Sequence, residues 1–393
     1  MRRVYMDHTA GMPVDARVLN TMMPYFEGLY GNASALHSFA QEARRGLEDA
    51  RKHVAHLISA ERSDEVYFTS GATESNNWAV RGVAAMNRER GKHIITTSIE
   101  HMSVMNTCKY LTKQGFKVSY LPVDSYGVVD LEALKKALTD ETILVSVTYA
   151  NGEIGTVEPV KEVSEIVHGG KAYLHVDATA ANGQVPIDVQ TEGIDLLTLS
   201  SNDMYGPKGV GALYVKRGTR LEPLIFGGGQ ERGLRSGTEN LPGIVGMGKA
   251  AELAKAEMQA DGERLVQLRD KLLKNLLERI PYSYLNGHPS RRLPNNAAVR
   301  FSFIEGESML LNLDMAGVAA SSGSACTTKT LDPSHVLLAT GLKHEEAHGS
   351  LLFTLGRQNT EDDVDYVVSL LPDIVKRLRS MSPLTPKELR ERV

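Results

Sequence analysis

Seven short apolar runs between residues 65 and 215 constrain the fold of this chain more than any other feature. They are nearly continuous and rich in β-branched residues, and they lie at 65–69, 93–97, 117–121, 142–147, 172–176, 196–199 and 210–215. A strand buried on both faces of a parallel sheet requires such a run. Helical patterns separate the runs, for example at 130–139 and 158–168. Strands that alternate with helices predict βαβ units and a doubly wound α/β sheet.

The pattern changes after about residue 250. The remaining segments are predicted to be a charge-rich helix at 250–280, a strand at 297–304 and an amphipathic helix at 361–381. We therefore predict a large domain at 14–258 and a small α+β domain formed by 1–13 and 259–393. The tail from Ser380 has two prolines and many charges, so it is predicted to be a mobile arm, with a docking arm as the alternative.

Charge and cysteine content exclude several classes of protein. The 393 residues include 44 Lys and Arg against 48 Asp and Glu, and this net charge of −4 argues against a nucleic-acid binder. We find no apolar run near the roughly 18–20 residues that span a bilayer, and no apolar segment of a secretory signal follows Met1. Two cysteines in a chain of this length indicate a reducing compartment. We therefore expect a cytoplasmic protein with no nucleic-acid or membrane partner.

A glycine turn follows the first predicted strand of the sheet. It runs from Ser70 to Glu74 and leads into a helical pattern. Such a turn offers free backbone N–H groups and the positive end of a helix dipole to a phosphate, and Thr73 adds a hydroxyl group. The same pattern also closes ordinary βα units, so both interpretations stay open here.

An acidic residue, Asp177, ends another predicted strand. Ligands of open α/β sheets bind beyond the carboxyl ends of the strands. A carboxylate at this place can pair with a protonated ring nitrogen, or it can cap the segment that follows.

A glycine-rich loop at 227–240 contains five glycines together with Arg232 and Arg235. Glycines let a backbone approach a ligand closely. We interpret the segment as part of a binding site or a subunit contact, with a flexible surface loop as the alternative.

The two cysteines have different surroundings. Cys108 lies among helix-forming residues and is predicted to be packed in a core, whereas Cys326 lies among small polar residues and is predicted to be an accessible nucleophile or soft metal ligand. His344 and His348 are spaced as i and i+4, but they lack a third ligand. A solvated helix face is the better interpretation of this pair than a zinc site.

These motifs together resemble one family over nearly the whole chain. The chain resembles cysteine desulfurases of the NifS/IscS type, in the class V aminotransferase group of pyridoxal-phosphate (PLP) enzymes. The motifs that carry the resemblance are Gly31–Ser34, Thr69–Asn77, Glu100-His101, Glu153–Thr156, His175–Thr179, Tyr205–Leu213, Gly227–Asn240 and Ser322–Cys326.

The resemblance implies a fold, an assembly and a set of site residues. The fold is that of the PLP transferases of fold type I, which resemble aspartate aminotransferase, and the assembly is a homodimer. The implied cofactor-binding positions are Ala72, Thr73, His101, Asp177, Ser200, Asn202 and, from the partner subunit, Thr238. Thr73, Ser200 and Thr238 would hold the phosphate, Asp177 would pair with the ring nitrogen, and His101 would stack on the ring. Cys326 would carry sulfur as a persulfide to an IscU-type scaffold for iron–sulfur cluster assembly.

The sequence departs from the family at the position of its catalytic lysine. Family members carry a histidine and then a lysine before Tyr-Gly-Pro-Lys-Gly, and that lysine forms the Schiff base with PLP. Here these two positions are Asn202 and Asp203. A carboxylate can neither form that link nor serve as the amine-derived base. Lys208 is not an obvious replacement, because family members have it in addition to the catalytic lysine.

Further departures affect recognition of the substrate and of the cofactor ring. Leu352 replaces the arginine that clamps the substrate carboxylate. Gly152 and Ala180 replace an asparagine and a glutamine expected at the ring oxygen, and residues 10–13 change a loop near the entrance.

Two hypotheses follow. In the first, desulfurase activity is lost or strongly impaired, and the chain is a dimeric partner of an IscU-type scaffold. PLP is then held non-covalently, and Cys326 is a sulfur relay or a ligand of a [2Fe–2S] or [4Fe–4S] cluster shared with that scaffold. In the second, the chain is an active PLP-dependent desulfurase that uses an unrecognised base. A third hypothesis, another amino-acid substrate, fits the cysteine motif at 322–326 less well.

Overall fold

A seven-stranded mixed sheet forms the centre of the larger part of the molecule. The computed structural model describes residues 2–322 and 333–387. The seven strands are β2 (Val66–Thr69), β3 (His93–Thr97), β4 (Lys117–Leu121), β5 (Thr142–Thr148), β6 (Tyr173–Asp177), β7 (Leu196–Ser200) and β8 (Gly211–Val215). Their order is β2-β8-β7-β6-β5-β3-β4. Only β8 runs antiparallel to its two neighbours, and the other adjacent pairs are parallel.

The central strands form because their side chains are apolar on both faces. All residues of β3, β5, β7 and β8 are buried. The helices of this part are α1 (Ala16–Met22), α2 (Pro24–Glu27), α3 (Ser38–Leu57), α4 (Ala72–Met86), α5 (Met102–Lys113), α6 (Leu131–Ala137) and α7 (Val160–His168). They contribute to separate apolar clusters, since Val54 and Val163 lie in one cluster and Val83 and Cys108 lie in another. Burial on both faces explains why a near-continuous apolar run predicted each strand.

A long helix, α8 (Leu241–Arg279), connects this part to a second, smaller α+β unit. Its first half packs with α3, and its last half contributes Leu265, Leu272 and Leu276 to a separate core. The helix begins nine residues before the start predicted from its charge pattern, because apolar and glycine residues at 241–248 extend it.

The smaller unit is built on a three-stranded antiparallel sheet in the order β12-β10-β9. The strands are β9 (Ser283–Leu285), β10 (Asn296–Phe301) and β12 (Ser350–Thr354), and the helices are α9 (Gly306–Met315), α10 (His335–Ala339), α11 (His344–His348) and α12 (Glu361–Met381). The N-terminal strand β1 (Val4–Tyr5) pairs in parallel with β11 (Val318–Ala319). Val4 and Met6 are therefore buried in this second core, as a small domain that includes the N-terminus requires. The boundaries at 13/14 and 258/259 stay predictions.

The start of the C-terminal tail is ordered, contrary to the prediction of a mobile arm from Ser380. Helix α12 continues through Ser380 to Met381, and Thr385 is buried. Residues 388–393 lie outside the described residues. In the described ranges no helix is long and apolar enough to cross a membrane.

Candidate active site

A cavity of about 530 Å³ opens beyond the carboxyl ends of the central strands. Its walls come from the turns after β2, β3, β5, β6 and β7, from the N-terminal segment, and from β12 and the start of α10. The predicted site residues that line it are Ala72, Thr73, His101, Asp177, Ser200, Asn202, Asp203 and Leu352. Seven of these positions lie at the edge of the central sheet, and the eighth, Leu352, comes from β12 of the smaller unit, 280 residues after Ala72 in the sequence.

The turn between β2 and α4 has the geometry of an anion site. Gly71 has a φ of +148°, a value that L side chains rarely adopt, and the space where its Cβ would lie is empty for 4 Å. No side chain caps the first turn of α4, so its leading N–H groups face the cavity beside Thr73. A helix start of this kind attracts a phosphate.

The start of the short turn after β7 holds two buried polar atoms that have no partner within the described ranges. They are the side-chain oxygens of Ser201 and Asn202. Buried polar groups are normally paired. Asn202 lines the cavity, so a ligand with a hydrogen-bond donor there would satisfy its amide oxygen.

Asp177 is held in a fixed orientation at the end of β6. One carboxylate oxygen accepts a hydrogen bond from Asn76 Nδ2 at 2.6 Å, and the other accepts from Thr179 N at 3.0 Å. Asn76 also donates to Ser103 Oγ at 2.9 Å, and Ser103 Oγ lies 2.7 Å from His101 Nδ1. The carboxylate and the imidazole ring are thus linked through α4 and the start of α5, where a flat heterocycle could pair with one and stack on the other.

Asp203 lies in the cavity wall, within a short 3-10 turn at Asn202–Met204. Burial raises the pKa of its carboxyl to about 6; hydrogen bonds from Ser200 and Asn202 oppose this effect, and the charge of Asp177 adds to it. No lysine or arginine of the described ranges lines the cavity. Lys208 instead donates to the carbonyl of Met12, with Nζ 3.1 Å from the oxygen. No described cation therefore takes the place of the missing lysine in this chain.

The wall opposite the strands is apolar at the position where the family has its carboxylate clamp. Leu352 is 3% exposed, and its backbone pairs with that of Ser321 through N–O distances of 2.7 and 3.0 Å. An alkyl side chain can exclude water here, but it cannot bind a carboxylate.

Burial acts on the pKa values of two further carboxyl groups in the cavity wall. Burial raises the pKa of Glu100 to about 8 and that of Glu153 to about 7. Glu100 accepts from Thr97 Oγ1 at 2.7 Å and from Thr148 N at 2.9 Å. Glu153 accepts from Ser334 Oγ at 2.5 Å. Glu100 and Glu153 appear in the sequence only as parts of motifs, and neither was predicted as a site residue. Asn76 was not predicted either, because its one sequence signal is its place one helical turn after Thr73.

The replaced ring-oxygen positions also line the cavity. Gly152 and Ala180 present no polar side-chain atom there. Asn151, next to Gly152, stabilises its own turn by donating to Ile99 O at 2.9 Å. It accepts from Glu153 N and Ile154 N at 2.9 and 3.1 Å.

The structure does not bring every predicted site residue into the cavity. Thr238 is exposed and is not among the residues of the cavity wall in this chain. Cys326, predicted as nucleophile and metal ligand, lies outside the described residues. Cys108 is fully buried, and burial raises the pKa of its thiol to about 12. His344 and His348 are exposed, and no cluster of three metal-ligating side chains occurs in 2–322 or 333–387.

A family profile and the sequences of known proteins point to the same protein family. The profile of the family described as "Aminotransferase class-V" matches residues 4–367. The chain is 58% identical to "Cysteine desulfurase IscS 1" of Archaeoglobus fulgidus over 97% of this chain and 99% of that protein. It is 52% identical to "Cysteine desulfurase IscS" of Methanosarcina thermophila over 99% and 96%.

Solved structures agree with these sequences. A NifS-like protein superposes with a TM-score of 0.90 at 39% identity, over 96% of this chain and all of that one. A structure described as "SspA in complex with cysteine" superposes with a TM-score of 0.81 at 34% identity, over 90% and 98%. The predicted fold class, a PLP transferase of fold type I with a mostly parallel sheet, is confirmed.

Proposed function

The chain belongs to the class-V aminotransferase family, and from this premise we propose that it is a cysteine desulfurase-type protein of iron–sulfur cluster assembly that binds PLP in the cavity. The single observation that carries the proposal is the intact anion turn at Gly71–Thr73 facing the fixed carboxylate of Asp177 across one cavity. An anionic group at one end and a protonated ring nitrogen at the other are what PLP offers.

The residues of the cavity fit PLP, although they hold it without the usual covalent link. Ala72, Thr73, Ser200 and Asn202 would hold the phosphate, together with Thr238 of a second copy in a homodimer. Asp177 would keep the ring nitrogen protonated, and His101 would cover the ring. When bound, PLP supplies an electron sink for chemistry at the α-carbon of an amino acid. The protein's own part is to orient the ring, exclude water at Leu352, and keep Glu100 and Glu153 as proton-bearing groups at the wall.

The names of the relatives favour an active desulfurase over the expectation that activity is lost. In that reaction L-cysteine gives L-alanine, and the sulfur atom passes to the thiol of Cys326 as a persulfide. A structural relative described in complex with cysteine supports this substrate. The base that moves the substrate proton would then be a group other than a lysine at position 203.

A specific observation keeps a second function under consideration. Asp203 and Leu352 remove a positive charge from each of the two places where the family handles the substrate, and no described lysine or arginine of the wall replaces them. A chain of this kind would serve as a non-catalytic partner of an IscU-type scaffold. Cys326 would then relay sulfur or ligate the [2Fe–2S] or [4Fe–4S] cluster on that scaffold.

Release of L-alanine from L-cysteine separates the two functions. The oxygen-free, PLP-loaded protein is compared with Asp203→Lys and with Asp203→Lys/Leu352→Arg. Sustained release by the unmodified chain would establish the active enzyme, and Lys208→Gln would then test the remaining nearby amine. Release only by the double variant would establish the second function. Asp140→Lys, an equal charge change on the exposed surface, is the matched control.

The role of Cys326 has its own test. Cluster assembly on an IscU-type scaffold, with sulfide supplied, should fail with Cys326→Ala if the thiol is a cluster ligand, and it should persist with Cys108→Ala. Unchanged assembly with Cys326→Ala would exclude the ligand role.

A further inference from the structure

The turn that forms the proposed phosphate site is stabilised by the side chain of Glu74, which bonds back to the start of the turn. Glu74 Oε2 accepts a hydrogen bond from Ser70 N at 2.8 Å. Arg235, from the glycine-rich loop, donates to the same carboxylate, with Nε 2.9 Å from Oε1 and Nη2 3.3 Å from Oε2. The two side chains are 11% and 21% exposed, so the ion pair is largely shielded from water.

Arg235 is placed by a rigid anchor in the same loop. Glu231 forms a two-pronged ion pair with Arg51 at 2.7 and 2.8 Å, and it accepts from the backbone of Phe68 at 2.9 Å. Both charged groups are at most 3% exposed. Glu231 and Arg232 have φ values of 45° and 56°, a region that non-glycine residues adopt only when their contacts require it. The loop is thereby fastened to β2, the strand that leads into the turn.

The charge on Glu74 matters because it lies in the cavity wall next to the anion turn. Burial raises the pKa of this carboxyl, but the hydrogen bonds from Arg235 and Ser70 outweigh burial and hold the pKa below its usual range. Glu74 is therefore ionised at neutral pH. Without Arg235, a bare carboxylate would stand beside the place where a phosphate has to bind, and it would repel the phosphate.

We propose that Arg235 is a positioning residue of the phosphate site, which neutralises Glu74 and holds the Ser70–Glu74 turn in its anion-binding shape. This inference rests on the proposed function, since PLP is the ligand whose phosphate would occupy the turn. It gives the glycine-rich loop a role within its own subunit, separate from the delivery of Thr238 to a partner.

Binding of PLP to the cofactor-free protein tests the inference. Trp78 is the single tryptophan of the chain and is buried in α4, the helix that begins at the turn, so its fluorescence reports binding without any turnover. We expect Arg235→Gln to weaken PLP binding about ten- to a hundredfold, the range for loss of one charge-assisted hydrogen bond. Glu74→Gln/Arg235→Gln should recover most of this loss, because the amide oxygen can still accept from Ser70 N and carries no charge.

Controls separate positioning from general damage. Arg62→Gln breaks an exposed ion pair with Asp64 and should leave PLP affinity unchanged. Arg235→Lys retains the charge without the two-pronged geometry and should give an intermediate affinity. If Arg235→Gln lowers the melting temperature strongly, PLP affinity is compared between the single and the double variant at a temperature at which both are fully folded. A higher affinity of the double variant then supports charge neutralisation.

The outcomes also distinguish this inference from the proposed function. Wild-type protein that binds PLP while Arg235→Gln binds it within twofold would overturn the role of Arg235 alone. A double variant no better than the single one would overturn charge neutralisation. Wild-type protein that binds neither PLP nor inorganic phosphate would overturn the proposed function and this inference with it.

Discussion

Two carboxyl groups in the cavity wall, Glu74 and Asp203, differ in their ion pairing and in the direction of their pKa shifts. At the phosphate end, Glu74 is paired with Arg235, and its pKa lies below the usual range. At the end where the family has its lysine, Asp203 has no described cation in the wall, and burial raises its pKa to about 6. The charge of Glu74 is therefore balanced by Arg235, whereas Asp203 is an acid with no described ion-pair partner at the position where the family has a basic residue.

This difference separates two sets of groups in one cavity. The groups that would hold the cofactor lie at the carboxyl edge of the central sheet, where the strands fix their positions. The groups that differ from the family, Asp203 and Leu352, lie on the 3-10 turn after β7, which also carries Asn202, and on the buried strand β12. Asp203 lies outside the strands and Leu352 is apolar, so the fold tolerates both. The predictions below test whether the two ends are as independent as the geometry indicates.

The largest effect is expected from Asp177→Asn, at the carboxylate that would pair with the cofactor ring. The substitution keeps the shape of the side chain but removes the charge that would pair with a protonated ring nitrogen in a buried position. We expect PLP affinity to fall about a hundredfold, the upper range for one buried charge-assisted hydrogen bond. Titration of Trp78 fluorescence measures it, with the exposed surface variant Asp140→Asn as control. Unchanged affinity would mean that the ring does not lie at Asp177.

A smaller effect is expected at the altered end, from Asp203→Asn. The folded-state pKa of about 6 lies above the ordinary value of 3.8, so the folded protein retains a proton that the unfolded chain releases. Ionised Asp203 therefore destabilises the fold, and this penalty grows as the pH rises from about 4 to about 6 and is complete above that range. Because the side chain borders an open cavity, we expect the penalty to be about 1 kcal/mol.

Urea unfolding at pH 4 and pH 7.5 measures this difference. Asp203→Asn should match the wild type at pH 4 and exceed it at pH 7.5. Equal stability of the two proteins at both pH values would show that Asp203 is solvated and pays no penalty. The exposed pair variant Asp64→Asn, which should not become more stable at pH 7.5, controls for the change in net charge.

Sequence reasoning predicted the central sheet because each strand carries its own signal. The runs at 93–97 and 117–121 coincide with β3 and β4, and the helix at 361–381 coincides with α12. Two features were missed because they depend on tertiary contacts. The antiparallel direction of β8 is seen only in its pairing with β2 and β7, and the early start of α8 follows from burial of most of the residues at 241–248.

The cavity was predicted less completely than the fold. Glu74 and Arg235 were both noted in motifs, but their ion pair joins residues 161 apart, and no local pattern marks such a contact. Asn76 likewise shows its role only when β6 places Asp177 2.6 Å away. The raised pKa values of Glu100 and Glu153 arise from burial, which the sequence alone does not reveal. Local motifs therefore predicted positions that share one cavity, whereas the charges of its wall follow from the tertiary structure.

The smallest effect on PLP affinity is expected from Cys108→Ala, and it sharpens the distinction between the two cysteines. Cys108 is fully buried and its pKa is raised to about 12, so almost no thiolate exists at neutral pH, and the thiolate is the form that attacks thiol reagents. We expect Cys326→Ala protein to react with a thiol reagent only after unfolding. Cys108→Ala should leave PLP affinity unchanged and cost about 1 kcal/mol of unfolding free energy for the small void. Rapid labelling of native Cys326→Ala would contradict this expectation and show that α5 opens, which makes Cys108 a second available nucleophile. Every persulfide measurement on this chain would then have to be made in the Cys108→Ala background.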